Sequence, residues 1–173
     1  MVTYKTFETE RLTLKPTSED DAEFVFRLFN TPLWLQNIGD RNIKSIESAK
    51  TYIRDRIVPQ YERLGYSNYT IIRKSDNAKI GACGLYDREG LKGIDIGFAL
   101  LPEYERMGYA FEAANKLKEM AFDEFGLSEL SAITKKSNLL SQRLLGKLGL
   151  KLSGPIMLPN GDEKLLLYRT MSK

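Results

Sequence analysis

Between Ile94 and Ala114 the chain reads Ile-Asp-Ile-Gly-Phe-Ala-Leu-Leu-Pro-Glu-Tyr-Glu-Arg-Met-Gly-Tyr-Ala-Phe-Glu-Ala-Ala. A strand-like run ends at Pro102, and a polar turn follows with Glu105, Arg106, Met107, Gly108, Tyr109 and Ala110. An amphipathic helix begins inside that turn. Small residues at Gly108 and Ala110 let backbone amides at the helix start come close to a ligand. Such amides, together with the positive end of the helix dipole, bind phosphate or pyrophosphate. The segment therefore predicts a site for a phosphorylated cofactor between a strand and a helix.

The residues that are missing narrow the chemistry further. The chain has no histidine, which removes Ser-His-Asp triads, Cys-His pairs, histidine zinc sites and the two-His iron triad. Cys83 is the single cysteine, so neither an intramolecular disulfide nor a cysteine-rich metal site can form. Lying between Ala82 and Gly84 in an apolar run, it reads as a small buried hydrophobe. Acid–base chemistry is left to carboxylates, tyrosine, serine, lysine, that thiol or water, and no metal is expected.

At 173 residues the chain fits one domain, 1–173, with a core that needs no metal or disulfide support. Hydrophobic residues at 42% and charged residues at 28% are ordinary for a globular protein, and a net charge of +3 spread along the chain does not suggest a nucleic-acid partner. The polar start Met1–Thr9 lacks an apolar signal core, and no apolar run reaches ~18 residues. The expectation is a cytoplasmic protein without a membrane partner.

The elements that must position the turn follow from periodicity. Glu10–Leu14 reads as a strand. Thr17 or Ser18 caps a helix with Ala22, Val25, Phe26 and Phe29 inward. Asn30–Asn42 reads as a loop, and Ser45 caps a second helix with Ile46, Ala49, Tyr52, Ile53 and Ile57 on one side, kinked or shortened by Pro59. Tyr66–Arg73 and Lys79–Tyr86 form a hairpin around Ser75-Asp76-Asn77, and Leu91–Leu101 adds a third strand. On this strand Ile94, Ile96, Phe98 and Leu100 share one face, while Asp95, Gly97 and Ala99 share the other. Small residues there mark close helix packing or close approach of a ligand. Helix Tyr109–Phe125 turns Ala110, Ala113, Ala114, Leu117, Met120 and Ala121 inward and stops at Gly126. Strand Glu129–Thr134 follows as a parallel neighbour, because a helix separates it from the previous strand. A helix from Asn138 with Leu140, Leu144 and Leu148 in register precedes a closing hairpin, Lys151–Met157 and Glu163–Met171. The result is an α/β (mixed α+β) fold: a seven-stranded, mostly antiparallel sheet with helices on both faces.

At this point the chain resembles the GCN5-related N-acetyltransferases, in particular the ribosomal-protein alanine acetyltransferase branch. That family's cofactor motif is Gln or Arg, two residues, Gly, one residue, then Gly or Ala; here it reads Glu105-Arg106-Met107-Gly108-Tyr109-Ala110. Glu105 departs from the pattern, so the resemblance leaves the backbone amides, with Arg106 nearby, to hold the phosphates. Thr9-Glu10-Arg11-Leu12 is similar to the branch's opening strand, and Glu112-Ala113 to its Tyr-Ala-x-Glu-Ala continuation. Asn138-Leu-Leu-Ser141 and Lys147-Leu-Gly149-Leu resemble the pattern before the last hairpin, and Gly39-Asp40-Arg41 after Trp34 resembles a loop of related acetyltransferases.

The resemblance implies acetyl-CoA as co-substrate, a primary amine as acceptor, and direct attack in a ternary complex. It also implies a splayed parallel strand pair, and a homodimer is compatible with it. Amides of Arg106, Met107, Gly108, Tyr109, Ala110 and Phe111 would hold the pyrophosphate. Backbone groups of Phe98, Ala99 and Leu100 would pair with the pantetheine arm, and one amide there would stabilise the oxyanion. Asn138 is either a pantetheine contact or a helix N-cap. Ser141 is the acid for the departing thiolate or a local cap. Asp95 is the first candidate to take the amine's proton, followed by Asp87 and Glu163. Trp34, Gln36, Tyr66 and Tyr86 are candidate walls of the acceptor pocket, each with packing as the competing role. A non-catalytic acyl-CoA-binding or interaction module is the alternative. A Rossmann or P-loop enzyme fits poorly, since neither of those glycine-rich loops occurs.

Overall fold

Alternating apolar residues in short runs set the strands, and the structure, a computed structural model that describes residues 4–173, joins them into one sheet. Met1–Thr3 of the polar start lie outside the described residues. The strands are β1 (Phe7–Glu8), β2 (Leu12–Pro16), β3 (Asn68–Arg73), β4 (Ala78–Asp87), β5 (Ile94–Leu100), β6 (Glu129–Lys135), β7 (Lys151–Ile156) and β8 (Leu165–Met171). Their order is β1-β2-β3-β4-β5-β6-β8-β7, one more than the expected seven. The addition is β1, a two-residue strand paired with Leu14 and Thr13, too short to leave a period in the sequence.

Every neighbouring pair is antiparallel except β5 and β6. That parallel pair is in register only at Asp95↔Ser131. Toward Leu100 and Lys135 the two strands part, so the sheet opens as a V whose closed vertex is Asp95 and Ser131.

The helices are α1 (Ala22–Phe29), α2 (Pro32–Asn37), α3 (Ile46–Tyr52), α4 (Val58–Leu64), α5 (Tyr109–Asp123) and α6 (Leu139–Lys147). Helix α2 interrupts the segment expected as a loop. Its signals are Thr31, whose hydroxyl accepts the Trp34 amide at 3.3 Å, and Pro32 in the first turn. Between α3 and α4 the chain widens into one π-helical turn, Ile53–Ile57, just ahead of Pro59. A widened turn absorbs the hydrogen bond that proline cannot make. Ala49, Ile53 and Ile57 are buried as expected, but Ile46 is 42% exposed.

Helix α5 packs on β4 and β5, burying Ala113, Ala114, Leu117 and Ala121. Leu145 of α6 and Leu148 at its C-cap point inward, and Leu140, expected in that register, is 55% exposed. Lys118 of α5 donates to the Leu148 carbonyl at 2.5 Å, and Gln142 of α6 lies 3.5 Å from the Tyr168 hydroxyl of β8, so both helices share one face. On the other face Asp21, at the entry to α1, pairs with Lys79 of β4 at 2.7 Å. Among the described residues no helix is long and apolar enough to cross a membrane.

Candidate active site

The open end of the V leads directly into the turn that the sequence singles out. After β5 the chain makes one 3-10 turn, Pro102–Tyr104, and then reaches Glu105, Arg106 and Met107 before α5. Arg106 has φ +64° and Gly108 φ +82°, with Met107 between them outside the positive-φ set. Alternating handedness of this kind makes successive N–H groups converge into an anion-binding nest. The nest sits at the N-terminus of a 15-residue helix, whose dipole adds to it. Gly108 is favoured by its φ, which strains any side chain, and a Cβ there would press on Arg11 Nη2 at 3.2 Å. Glu105 is partly buried; desolvation raises its carboxyl above the ordinary value, against the lowering charge of Arg106.

The slot itself is backbone. On one side Phe98, Ala99 and Leu100 pair with Cys83, Ala82 and Gly81 of β4. On the β6 side none of the three has a ladder partner, and because backbone groups alternate along a strand, the N–H and C=O groups of Phe98 and Leu100 face the opening while those of Ala99 turn to β4. Asn138 caps α6: its Oδ1 accepts the Ser141 amide at 3.2 Å. Asn138 stands just past Lys135, at the mouth of the V, and Ser141 is half-buried in the first turn of α6. The capping role of Asn138 is thus filled by the fold.

The carboxylates separate clearly. Asp95 lies at the closed vertex, 1% exposed, with Arg88 Nε 3.2 Å from its Oδ1. Burial pushes its carboxyl up, and the Arg88 charge opposes that shift. Strand alternation gave Asp95, the first candidate base, its face but not its burial or its Arg88 partner. Asp87 sits at the same far end, paired with Arg63 at 2.9 Å. Glu163 is different: it pairs at 3.3 Å with Lys135, the last residue of β6, at the open end. Lys135 also donates to the Gln36 carbonyl at 2.6 Å, tying α2 to this rim.

The small face of β5 has a structural cause as well. A Cβ on Gly97 would meet the Tyr86 ring at 2.9 Å, and one on Gly84 would meet it at 2.4 Å. Tyr86 therefore lies across both glycines, and its hydroxyl donates to Asn68 Oδ1 at 2.5 Å. Burial raises the Tyr86 phenol, so it stays protonated. Trp34 is stacked on Phe29 with centroids 3.8 Å apart, and Tyr52 meets Phe29 edge-on at 5.5 Å. The Trp34 Nε1 is buried without a protein partner among the described residues. Tyr66 is not part of the mouth: it packs against Phe125, beyond the C-terminal end of α5, at 4.9 Å. Gln36 is exposed on the rim. Cys83 is fully buried with its thiol pushed up by desolvation, an inert core residue.

Sequence reasoning missed the residues that reach the 105–110 turn from far away. Arg11 Nη1 donates to the Met107 carbonyl at 3.0 Å, and its guanidinium covers the Tyr109 ring at 4.4 Å. The side chain of Glu112 accepts from Thr9 and Arg11. Their signal was the pair of motif segments at Thr9–Leu12 and Glu112-Ala113, visible in sequence but separately.

Residues 11–151 match the family model described as "Acetyltransferase (GNAT) domain". An uncharacterized N-acetyltransferase of Bacillus subtilis, YoaA, is 31% identical over 148 residues, covering 85% of this chain and 83% of its own. Among solved structures, an acetyltransferase from Agrobacterium tumefaciens superposes with a TM-score of 0.83 at 24% identity, over 98% of this chain and 96% of that one. The ribosomal L7/L12 α-N-protein acetyltransferase RimL, solved with coenzyme A, superposes at 0.82 with 16% identity over 96% of this chain and 98% of that one. An open sheet parted at one parallel strand pair, an amide nest at the mouth and a family match across most of the chain lead to one conclusion: the protein belongs to the GNAT family of acetyltransferases.

Proposed function

We propose that the protein transfers the acetyl group of acetyl-CoA to a primary amine within a ternary complex. The observation that carries this reading is the unpaired β6-side edge of Phe98–Leu100 running into the Arg106–Gly108 nest. That arrangement fits the cofactor: an extended amide-bearing arm can hydrogen-bond to an open strand edge, and a pyrophosphate suits a nest at a helix start. When bound, acetyl-CoA supplies a thioester, an acyl group activated toward amines. An N–H on the open edge near Phe98–Leu100 donates to the carbonyl oxygen as negative charge develops there. Holding both reactants on one rigid sheet supplies much of the acceleration.

Glu163 is the carboxylate placed to take the amine's proton, directly or through water, because it stands on the open rim. Lys135 beside it orients the carboxylate. Ser141, half-buried at the start of α6, is the proposed proton donor to the departing sulfur. Trp34, Gln36 and Tyr86 border the acceptor side. The acceptor is a protein N-terminus or a small-molecule amine; the RimL neighbour's described activity places N-terminal peptides in the first screen.

The reading is tested by acetyl-CoA turnover with a panel of amines and N-terminal peptides, followed as free CoA. Acceptor-dependent release is expected from at least one member. Tight CoA binding with no turnover across the panel supports a non-catalytic binding module instead.

A further inference from the structure

Glu112 occupies the first turn of α5, one turn beyond the nest. A free carboxylate there would oppose any phosphate drawn to the helix start. The fold turns it away, onto a segment about a hundred positions earlier. Its Oε2 accepts from the Thr9 hydroxyl at 2.5 Å and from the Arg11 amide at 3.0 Å, and its Oε1 accepts from Arg11 Nε at 2.7 Å. Those hydrogen bonds outweigh partial desolvation and hold the Glu112 carboxyl below its ordinary value.

The other end of Arg11 grips the turn. Nη1 donates to the Met107 carbonyl at 3.0 Å, Nη2 stands 3.2 Å from the Cβ position that Gly108 leaves empty, and the guanidinium lies over Tyr109. One rigid plane therefore touches three consecutive residues of the turn while anchored on Glu112. The turn needs such a hold, because Arg106 is a non-glycine residue in the left-handed region.

We propose that Arg11 is a positioning residue for coenzyme A: the Arg11–Glu112 brace keeps the 105–110 turn in its anion-binding shape and neutralises the carboxylate in the first turn of α5. The inference rests on the acetyl-CoA reading of the same turn and adds to it a residue from β2's leading edge that contributes no backbone to the turn. It also explains why the Thr9-Glu10-Arg11-Leu12 and Glu112-Ala113 segments occur together: they are the two halves of one contact.

The test is titration calorimetry of the full chain with coenzyme A, for wild type, Arg11→Met, Arg11→Lys and Arg11→Met/Glu112→Gln, paired with amide hydrogen exchange over residues 105–111 and thermal melts. Arg11→Met is expected to weaken binding about tenfold or more, the scale of a lost charge-assisted contact. Its turn amides should exchange faster, and the double variant should regain part of the affinity as the unpaired charge is removed. Arg11→Lys keeps the charge but lacks the planar fork, so it should fall between wild type and Arg11→Met. It also carries the test if Arg11→Met melts below the assay temperature. A folded Arg11→Met or Arg11→Lys protein that binds as tightly as wild type, with unchanged exchange in the turn, overturns the proposal and leaves the acetyl-CoA reading intact. Wild-type protein that does not bind coenzyme A overturns both.

Discussion

Gly108 shows how much can rest on one residue. Its φ of +82° strains any side chain and a Cβ would crowd the Arg11 guanidinium at 3.2 Å, while its amide lies at the helix start where phosphate is expected. Gly108→Asp adds backbone strain of about 1 kcal/mol and a negative charge at that point. Coenzyme A binding should disappear in calorimetry while the melting temperature drops only a few degrees; retained affinity would move the phosphate site elsewhere. Glu163→Gln keeps the shape of the rim and removes the proposed proton acceptor. It should lower kcat by about a hundredfold with little change in the KM for acetyl-CoA. An equal loss from Asp95→Asn with Glu163→Gln fully active would return the base to the vertex. The turn was legible in sequence because small residues at Gly108 and Ala110 just at a helix start leave a local signature. The ion-pair partners of the candidate bases were not, because Arg88 beside Asp95 and Lys135 beside Glu163 are tertiary neighbours that no local period encodes.

At the scale of elements, α5 is held by its apolar face and by the contact of its first turn with the start of β2. Leu117 is fully buried on that face, so Leu117→Ala should cost about 2–5 kcal/mol in urea unfolding. The Glu112 contact adds a pH dependence whose sign can be fixed. The folded carboxyl titrates below its ordinary 4.5, so the native state holds fewer protons than the unfolded chain in that range. Its stabilisation is present above 4.5 and is lost as pH falls through the lowered folded value. Asp95 has the opposite sign, since burial raises it. The informative comparison is therefore wild type against Glu112→Gln, unfolded in urea at about pH 7 and about pH 4. The gap between the two proteins should narrow in acid; a constant gap would mean the carboxylate contributes no charge. Periodicity found α5 and the strands flanking it. It missed α2, whose six residues are too few for a clear helical pattern, although Thr31-Pro32 carried the cap. It also misassigned Leu140, because a short helix at a rim turns some of its leucines outward.

Over the whole molecule, the strand order and the single parallel pair follow from which connections are hairpins and which pass through a helix. The connections thus imply which strands run parallel, while the parting of that pair was implied only by the resemblance to the acetyltransferases. The extent of the opening was not implied, because it depends on β5 and β6 meeting at one ladder position only. Since the site joins β2, β5, α5 and α6, a ligand held there should stabilise the whole fold by mass action. Coenzyme A at about a hundred times its Kd should raise the melting temperature by roughly 5–10 °C. An unchanged melt at that concentration would deny binding to the native state. The central claim, transfer from acetyl-CoA held by the Gly108 turn, is tested most directly by acceptor-dependent CoA release from wild type and Gly108→Asp, side by side at the same amine concentration. Wild type should release CoA steadily and the variant none above background; equal rates from the two proteins would rule out transfer at this turn.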